Sequence, residues 1–119
     1  MAHFMGRGDM GKAMVVSVDK ATAVRMYDKV SKYWRQYLDE LRAEYRRSSG
    51  QKRETLAERV KFMEETDMAV VVSSAQNEVE DFAAKGLDIL LHRKRMINEQ
   101  LDTKFKDPDD LLRIVFVCA

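Results

Sequence analysis

The stretch LLRIVFVCA, residues 111–119, decides the fold of this sequence more than any other. It is apolar except for Arg113, and it is rich in β-branched side chains. A short run of this kind is typical of a β-strand that is buried on both faces. Because a chain terminus normally lies at the surface, we expect that this strand was cut from a larger protein.

Two earlier runs have the same character as this strand, namely KAMVVSV (12–18) and MAVVVSS (68–74). Between them the apolar residues recur every three or four positions, which predicts amphipathic helices. We expect the first helix to begin after an N-cap at Asp19 and to be interrupted at Ser48-Ser49-Gly50.

After the second run, residues 77–86 predict a short helix that ends at Gly86, a residue suited to the position after a helix. Residues 93–105 predict one further helix, which ends before the chain's only proline. The apolar residues expected on one face of that helix are Met96, Ile97, Leu101 and Phe105.

The order strand, helix, strand, helix, strand predicts an α/β fold, with a parallel sheet flanked by helices in three layers. The 119 residues suffice for a single domain, which we place at residues 1–119. No apolar run approaches the roughly 20 residues of a membrane span, and no secretory signal is evident. We therefore expect a cytoplasmic protein, in which the single cysteine, Cys118, behaves as a small apolar residue.

Charge is divided unevenly along the chain, although the net charge is only +1. Residues 1–60 hold 13 basic and 8 acidic residues, whereas residues 61–119 hold 8 and 12, so the halves carry +5 and −4. This asymmetry is compatible with one face that contacts phosphates. Charged helix surfaces are common for solubility alone, however, and the asymmetry favours that interpretation.

The motif GRGDMGKA (6–13) resembles phosphate-binding loops, but its context argues against a nucleotide site. Such a loop must leave a strand and open a helix, whereas this one leads into a predicted strand. Ala13 also stands where a hydroxyl would hold magnesium. We interpret the segment as a turn before the first strand.

Other candidate motifs also lack the context that their chemistry requires. His3 and His92 are too isolated for a metal site, and Ser73 and Ser74 lack the surroundings of a hydrolase nucleophile. The basic clusters at 92–95 and 42–53 could meet phosphates, but such clusters are more commonly solvated helix surface.

The candidate site that remains is the carboxyl edge of the predicted sheet. Polar residues follow the first strand at 17–20 and the second strand at 73–77. In a parallel sheet both segments emerge at the same edge, where α/β proteins commonly bind ligands. If the chain has a binding site, we expect it there.

Three blocks of sequence resemble the motor region of the R subunit of type I restriction enzymes. They are GKAMVVSVDKATAVRMYDKV (11–30), AVVVSSAQNEVEDF (69–82) and FKDPDDLLRIVFVCA (105–119), in the order found in that family. The resemblance implies a truncated second RecA-like lobe of a superfamily 2 helicase, with helicase motif IV near residues 12–24. It also implies that the sequence stops just before motif V, which has the form Met-Trp-Leu-Thr-Gly-Phe-Asp in this family.

The resemblance implies a parent enzyme that uses ATP and Mg²⁺ to translocate double-stranded DNA and cleaves it with a separate nuclease domain. The implied partners are the DNA backbone and the modification and specificity subunits, with no membrane involved. By position, the residues implied to approach the DNA are Ser17, Asp19 and Lys20 in the loop after the first strand, with Ser73 and Ser74 after the second strand as further candidates. The parts of the family that bind ATP or cleave DNA have no counterpart here, so we expect no catalysis, cofactor or metal in the isolated chain.

A free-standing α/β module that binds a protein partner is the alternative hypothesis. A fragment should place the strand at 111–117 at an open sheet edge with apolar surface exposed, which favours self-association. A complete module should instead be monodisperse.

Overall fold

A computed structural model describes residues 12–119 of the chain. Within this range, strands and helices alternate as expected for an α/β fold. In chain order they are β1 (Ala13–Ser17), α1 (Lys20–Arg47), α2 (Gly50–Glu65), β2 (Asp67–Val70), α3 (Glu78–Ala84), α4 (Leu90–Asn98), α5 (Leu101–Lys106) and β3 (Leu112–Cys118). The glycines at 6, 8 and 11 of the phosphate-loop resemblance, and His3, lie outside the described residues.

The three described strands form one parallel sheet in the order β1-β3-β2. Ala13 and Met68 both pair with Ile114, one from each side of β3. The register between β2 and β3 is irregular between Asp67 and Met68. The parallel sheet with helical connections confirms the α/β class and the flanking helices predicted from the sequence.

The central position of β3 contradicts the expectation that this strand lies at an open edge. Strands β1 and β2 flank it on both sides, and residues 112–116 are buried. Burial on both faces and pairing on both edges explain why the run is so apolar. The open edges among the described strands belong instead to β1 and β2.

Helices cover both faces of the sheet. Ile114 and Phe116 pack in one core cluster with Ala23 and Val24 of α1. Val115 belongs to another cluster, which includes Leu101 at the start of α5. The alternation along β3 therefore supplies two core layers, as the period of a strand requires.

Helix α1 extends beyond the sheet and pairs there with α2. Its 28 residues span about 42 Å, whereas the seven residues of β3 span about 23 Å. Leu41 packs with Met63 of α2, and the Trp34 side chain donates a 3.0 Å hydrogen bond to the Met63 carbonyl. The predicted break between the two helices is confirmed at Ser48 and Ser49.

Two predicted elements differ from the structure. Strand β2 ends at Val70, four residues before the predicted end, although the Val71 N–H still donates to the Phe116 carbonyl at 2.9 Å. The single helix predicted over 93–105 is two helices, α4 and α5, with Glu99 in an extended conformation between them. Met96 packs against the core, whereas Ile97 is 73% exposed, so the two do not share one face as predicted.

The one charged side chain of β3, Arg113, is buried at 2% exposure and joins the sheet to the end of α2. Its guanidinium donates to the Phe62 carbonyl at 3.1 Å and to the Thr66 hydroxyl at 2.8 Å. It also lies over the Phe62 ring, 4.1 Å from the centroid. Burial lowers the pKa of Arg113 from its usual value.

Candidate functional site

The carboxyl edge of the sheet carries an open groove of about 440 Å³. One wall is the segment that follows β1, including Asp19 and Lys20, and the other is helix α3 with Glu78, together with Lys85 just after the helix. Cys118, at the end of the central strand, lies between these walls. The topology therefore brings the start of α1 and one side of α3 to the same edge, although Lys20 and Glu78 are 58 positions apart in the sequence.

The three residues predicted to follow β1, namely Ser17, Asp19 and Lys20, differ from one another in exposure and contacts. Ser17 is only 8% exposed, and its carbonyl accepts a 3.0 Å hydrogen bond from the Ala119 N–H. Asp19 is the N-cap of α1, as predicted, and its carboxylate accepts the Thr22 N–H at 2.7 Å. This bond lowers the pKa of Asp19. Of the three residues, Lys20 is the cation that reaches the groove.

The predicted serines after β2 are exposed but do not line this groove. Ser73 and Ser74 lie in the loop 71–77 that joins β2 to α3. The carbonyl of Ser73 accepts a 3.1 Å hydrogen bond from Arg93. The structure thus brings Asp19 and Lys20 together with α3, while Ser73 and Ser74 occupy a separate part of the same edge.

The groove has mixed charge. Its carboxylates are Asp19, Glu78 and Asp81, and its ammonium groups are Lys20 and Lys85. Lys20 contributes to the lowered pKa of Glu78, and Lys85 contributes to that of Asp19, so each lysine acts on a carboxylate of the opposite wall. A phosphate would therefore meet two cations against a background of acidic residues, which limits its affinity.

The loop between β2 and α3 is held by an ion pair that the sequence analysis did not find. Arg93 binds Glu78 through two bonds, Nε to Oε2 at 2.7 Å and Nη2 to Oε1 at 2.9 Å. The same guanidinium donates to the carbonyls of Val72 and Ser73, each at 3.1 Å. The two charged side chains are only 16% and 11% exposed, and the bonds from Arg93 lower the pKa of Glu78.

Arg95, also on α4, forms two further ion pairs. It binds Asp67 at 2.7 Å and Glu99 at 2.9 Å, and these bonds raise its pKa. The cluster at 92–95 is therefore not simply the solvated surface that the sequence favoured. Its two arginines connect α4 to other elements of the fold, because Arg93 binds Glu78 of α3 and Arg95 binds Asp67 of β2.

No known protein family, curated protein or solved structure matches this chain.

Two further features of the described residues bear on the type of site. Within residues 12–119, no three side chains among His, Cys, Asp and Glu are grouped so that they could hold a metal ion. In the same range, none of the helices has the length and apolar character needed to cross a membrane.

Proposed function

We propose that this chain is part of the R subunit of a type I restriction enzyme, in the second of its two RecA-like motor lobes. In this role it supplies part of the frame of the lobe and a contact with the backbone of double-stranded DNA. ATP hydrolysis, DNA cleavage and binding to the modification and specificity subunits belong to the complete enzyme in the cytoplasm, and the isolated chain is inactive.

The observation that carries this proposal is the parallel pairing of strands from all three resembling blocks. Blocks 11–30, 69–82 and 105–119 contain β1, part of β2 and β3, which form one sheet with helical connections. The segments that follow β1 and β2 emerge at one edge, where ligands of α/β proteins commonly bind. A motor lobe of this family requires such an arrangement.

Lys20 is the residue on which the proposed DNA contact depends. It lies at the first position of α1 and lines the groove at the carboxyl edge. An ammonium group recognises a phosphate by charge, so its contact carries no sequence information. With Asp19, Glu78 and Asp81 in the same groove, we expect weak binding that falls steeply with salt.

The test measures binding of the purified chain to a fluorescent DNA duplex at several salt concentrations. We expect Lys20→Glu to weaken binding to every duplex sequence and to reduce the slope of log affinity against log salt by about one. Lys106→Glu is the matched control, because it makes the same charge change at an exposed site on α5, before β3 begins. Binding that ignores salt and depends on one sequence, or an equal effect of the control, would contradict the proposal.

The absence of catalysis has its own test. The purified chain should hydrolyse no more ATP than a heat-unfolded sample of the same protein, with or without DNA. Turnover above that background would refute the assignment of this chain to the lobe's frame.

The second candidate is a free-standing α/β module that binds a protein partner. It is favoured by the exposed apolar side chains of α4, which are Leu90, Leu91 and Ile97. A chain that is monodisperse, binds a protein segment through α4 and binds no DNA even at low salt would support this candidate over the motor lobe.

A further inference from the structure

The two outer edges of the described sheet differ in how their backbone groups are satisfied. At the β2 edge, the Met68 carbonyl accepts a 2.9 Å hydrogen bond from Arg95. Just beyond β2, the Val72 carbonyl accepts a 3.1 Å bond from Arg93, and the Val72 N–H donates to the Met96 sulfur at 3.3 Å. Side chains of α4 therefore occupy backbone groups that a further strand would need on this side.

The β1 edge has no such cover among residues 12–119. The Ser17 carbonyl accepts the Ala119 N–H at 3.0 Å, so the backbone groups of Ser17 face β3. Because the direction of these groups alternates along a strand, those of Met14 and Val16 face away from the sheet. Nothing in the described part of the chain binds them. Strand β1 thus presents two free N–H groups and two free carbonyls on its outer side.

The sequence of β1 does not protect this edge. The strand Ala13–Ser17 has no charge, no proline and no irregularity in its register with β3, which are features that commonly keep sheet edges apart. Ala13 and Val15 pack on the α1 side of the sheet. The alternation therefore places Met14 and Val16 on the opposite face, where they are 56% and 59% exposed. The same two residues offer both free backbone groups and exposed apolar side chains.

The edge is complementary to itself in one antiparallel register. A two-fold axis at Val15 pairs all five residues of β1 with those of a second copy, and it sets Met14 opposite Val16 of that copy. Such a pair exchanges both of its N–H···O bonds. The axis generates the pair twice, so every free backbone group of Met14 and Val16 obtains a partner. Because β1 carries no charge, no like charges face each other along the paired strands.

We propose that two copies of this chain dimerise by antiparallel pairing of their β1 strands, which joins two three-stranded sheets into one. Self-complementarity decides for a second copy over an unrelated strand, because the copy has free groups at the matching positions and its exposed Met14 and Val16 lie against those of the first. The occupied β2 edge opposes pairing of β1 with β2 of another copy, so the assembly closes at two instead of growing into a filament.

A strand of five residues makes a small interface, so the dimer is weak and forms at high protein concentration. Lys20 and the other groove residues of the proposed DNA contact take no part in the pairing. The proposal therefore holds with either candidate function.

Sedimentation velocity of the purified chain should show a shift from monomer to dimer as its concentration rises to about 1 mM. Val16→Lys should weaken the dimer about tenfold, because it sets two lysines diagonally across the axis, and Met14→Glu should do the same with two glutamates. The variant with both changes should dimerise again, because each new glutamate then lies opposite a new lysine of the second copy. Val79→Lys is the matched control, since it makes the same change at a 47% exposed position on α3.

Amide hydrogen exchange locates the interface. The N–H groups of Met14 and Val16 should exchange rapidly in dilute protein and slowly at high concentration, whereas the Met14 N–H should stay unprotected in Val16→Lys. Circular dichroism establishes that each variant is folded, as expected for changes at exposed side chains.

Several results would each overturn the proposal. They are a chain that stays monomeric to about 1 mM, an association that Val16→Lys weakens no more than Val79→Lys, a double variant that does not recover, and growth into filaments. No DNA is present in these measurements, so any of these results leaves the DNA proposal standing.

Discussion

Replacement of Arg93 by methionine should destabilise the protein substantially. Methionine retains much of the length and apolar surface of the arginine but none of its donors. The change removes both bonds to Glu78 and the bonds to the carbonyls of Val72 and Ser73. It also leaves the carboxylate of Glu78, at 11% side-chain exposure, without its cation.

The expected loss follows from the burial of the pair. Removal of one member of a buried ion pair typically costs about 3–5 kcal/mol, because the other charge remains uncompensated. Arg93 and Glu78 keep 16% and 11% of their side-chain surface in water, so we expect about 3 kcal/mol. This is a large part of the roughly 5–15 kcal/mol by which domains are stable.

Urea unfolding followed by circular dichroism at neutral pH measures this loss. The matched control is Arg46→Met, on the last turn of α1, where the arginine is exposed and binds no carboxylate among the described residues. The control should stay within about 0.5 kcal/mol of the wild type. A double-mutant cycle with Glu78→Gln then separates the coupling of the pair from the loss of the carbonyl bonds.

The pH dependence of the unfolding free energy is a second measurement on the same two proteins. Arg93 holds the folded-state pKa of Glu78 below its ordinary value of 4.5. The stabilisation is therefore fully present above about pH 4.5 and is lost as pH falls through the folded pKa. The difference in free energy of unfolding between the wild type and Arg93→Met should therefore become smaller as the pH is lowered. Two results would refute this account of the ion pair. One is a loss of unfolding free energy below about 1 kcal/mol at neutral pH, and the other is a difference between the two proteins that stays constant at acidic pH.

Two further predictions concern a helix end and a second ion pair. Gly86→Ala should cost about 1 kcal/mol, seen as a lower Tm, because Gly86 has φ of +74° and only backbone strain opposes the added methyl group; Gly86→Asn should cost less. The pKa of Glu99 is about 2 because Arg95 and Lys104 bind it, so its stabilisation is present above about pH 4.5 and disappears toward pH 2. Thermal unfolding across this range should show a smaller pH dependence for Glu99→Gln, whereas an unchanged pH profile would contradict the role of Glu99.

The sequence predicted the parts of the fold that depend on local pattern. Strands β1 and β3, the N-cap at Asp19, the break at 48–50 and the helix end at Gly86 all follow from composition and spacing. The helix end is a clear case, because the Leu87 N–H reaches back to the Phe82 carbonyl at 2.8 Å, as expected when glycine follows a helix.

The features that the sequence missed depend on contacts between distant residues. The helical period of Met96, Leu101 and Phe105 continues through the break at Glu99, and only the fold shows that Glu99 lies between two cations. The same limit applies to the site. The sequence predicted that Lys20 lies at the carboxyl edge of the sheet, but the acidic side chains of α3 beside it became visible only in three dimensions.

The central position of β3 also has a consequence for the order in which the protein assembles. Ala13 pairs with Ile114, so 101 residues separate these two partners, and β1 and β2 do not pair with each other. Closing such a long loop is slow, which makes sheet formation a late event in folding. During synthesis, β1 and β2 emerge from the ribosome long before residue 112. Until β3 is made, neither has its backbone partner, and a nascent chain spends that interval with two apolar strands open to incorrect pairing.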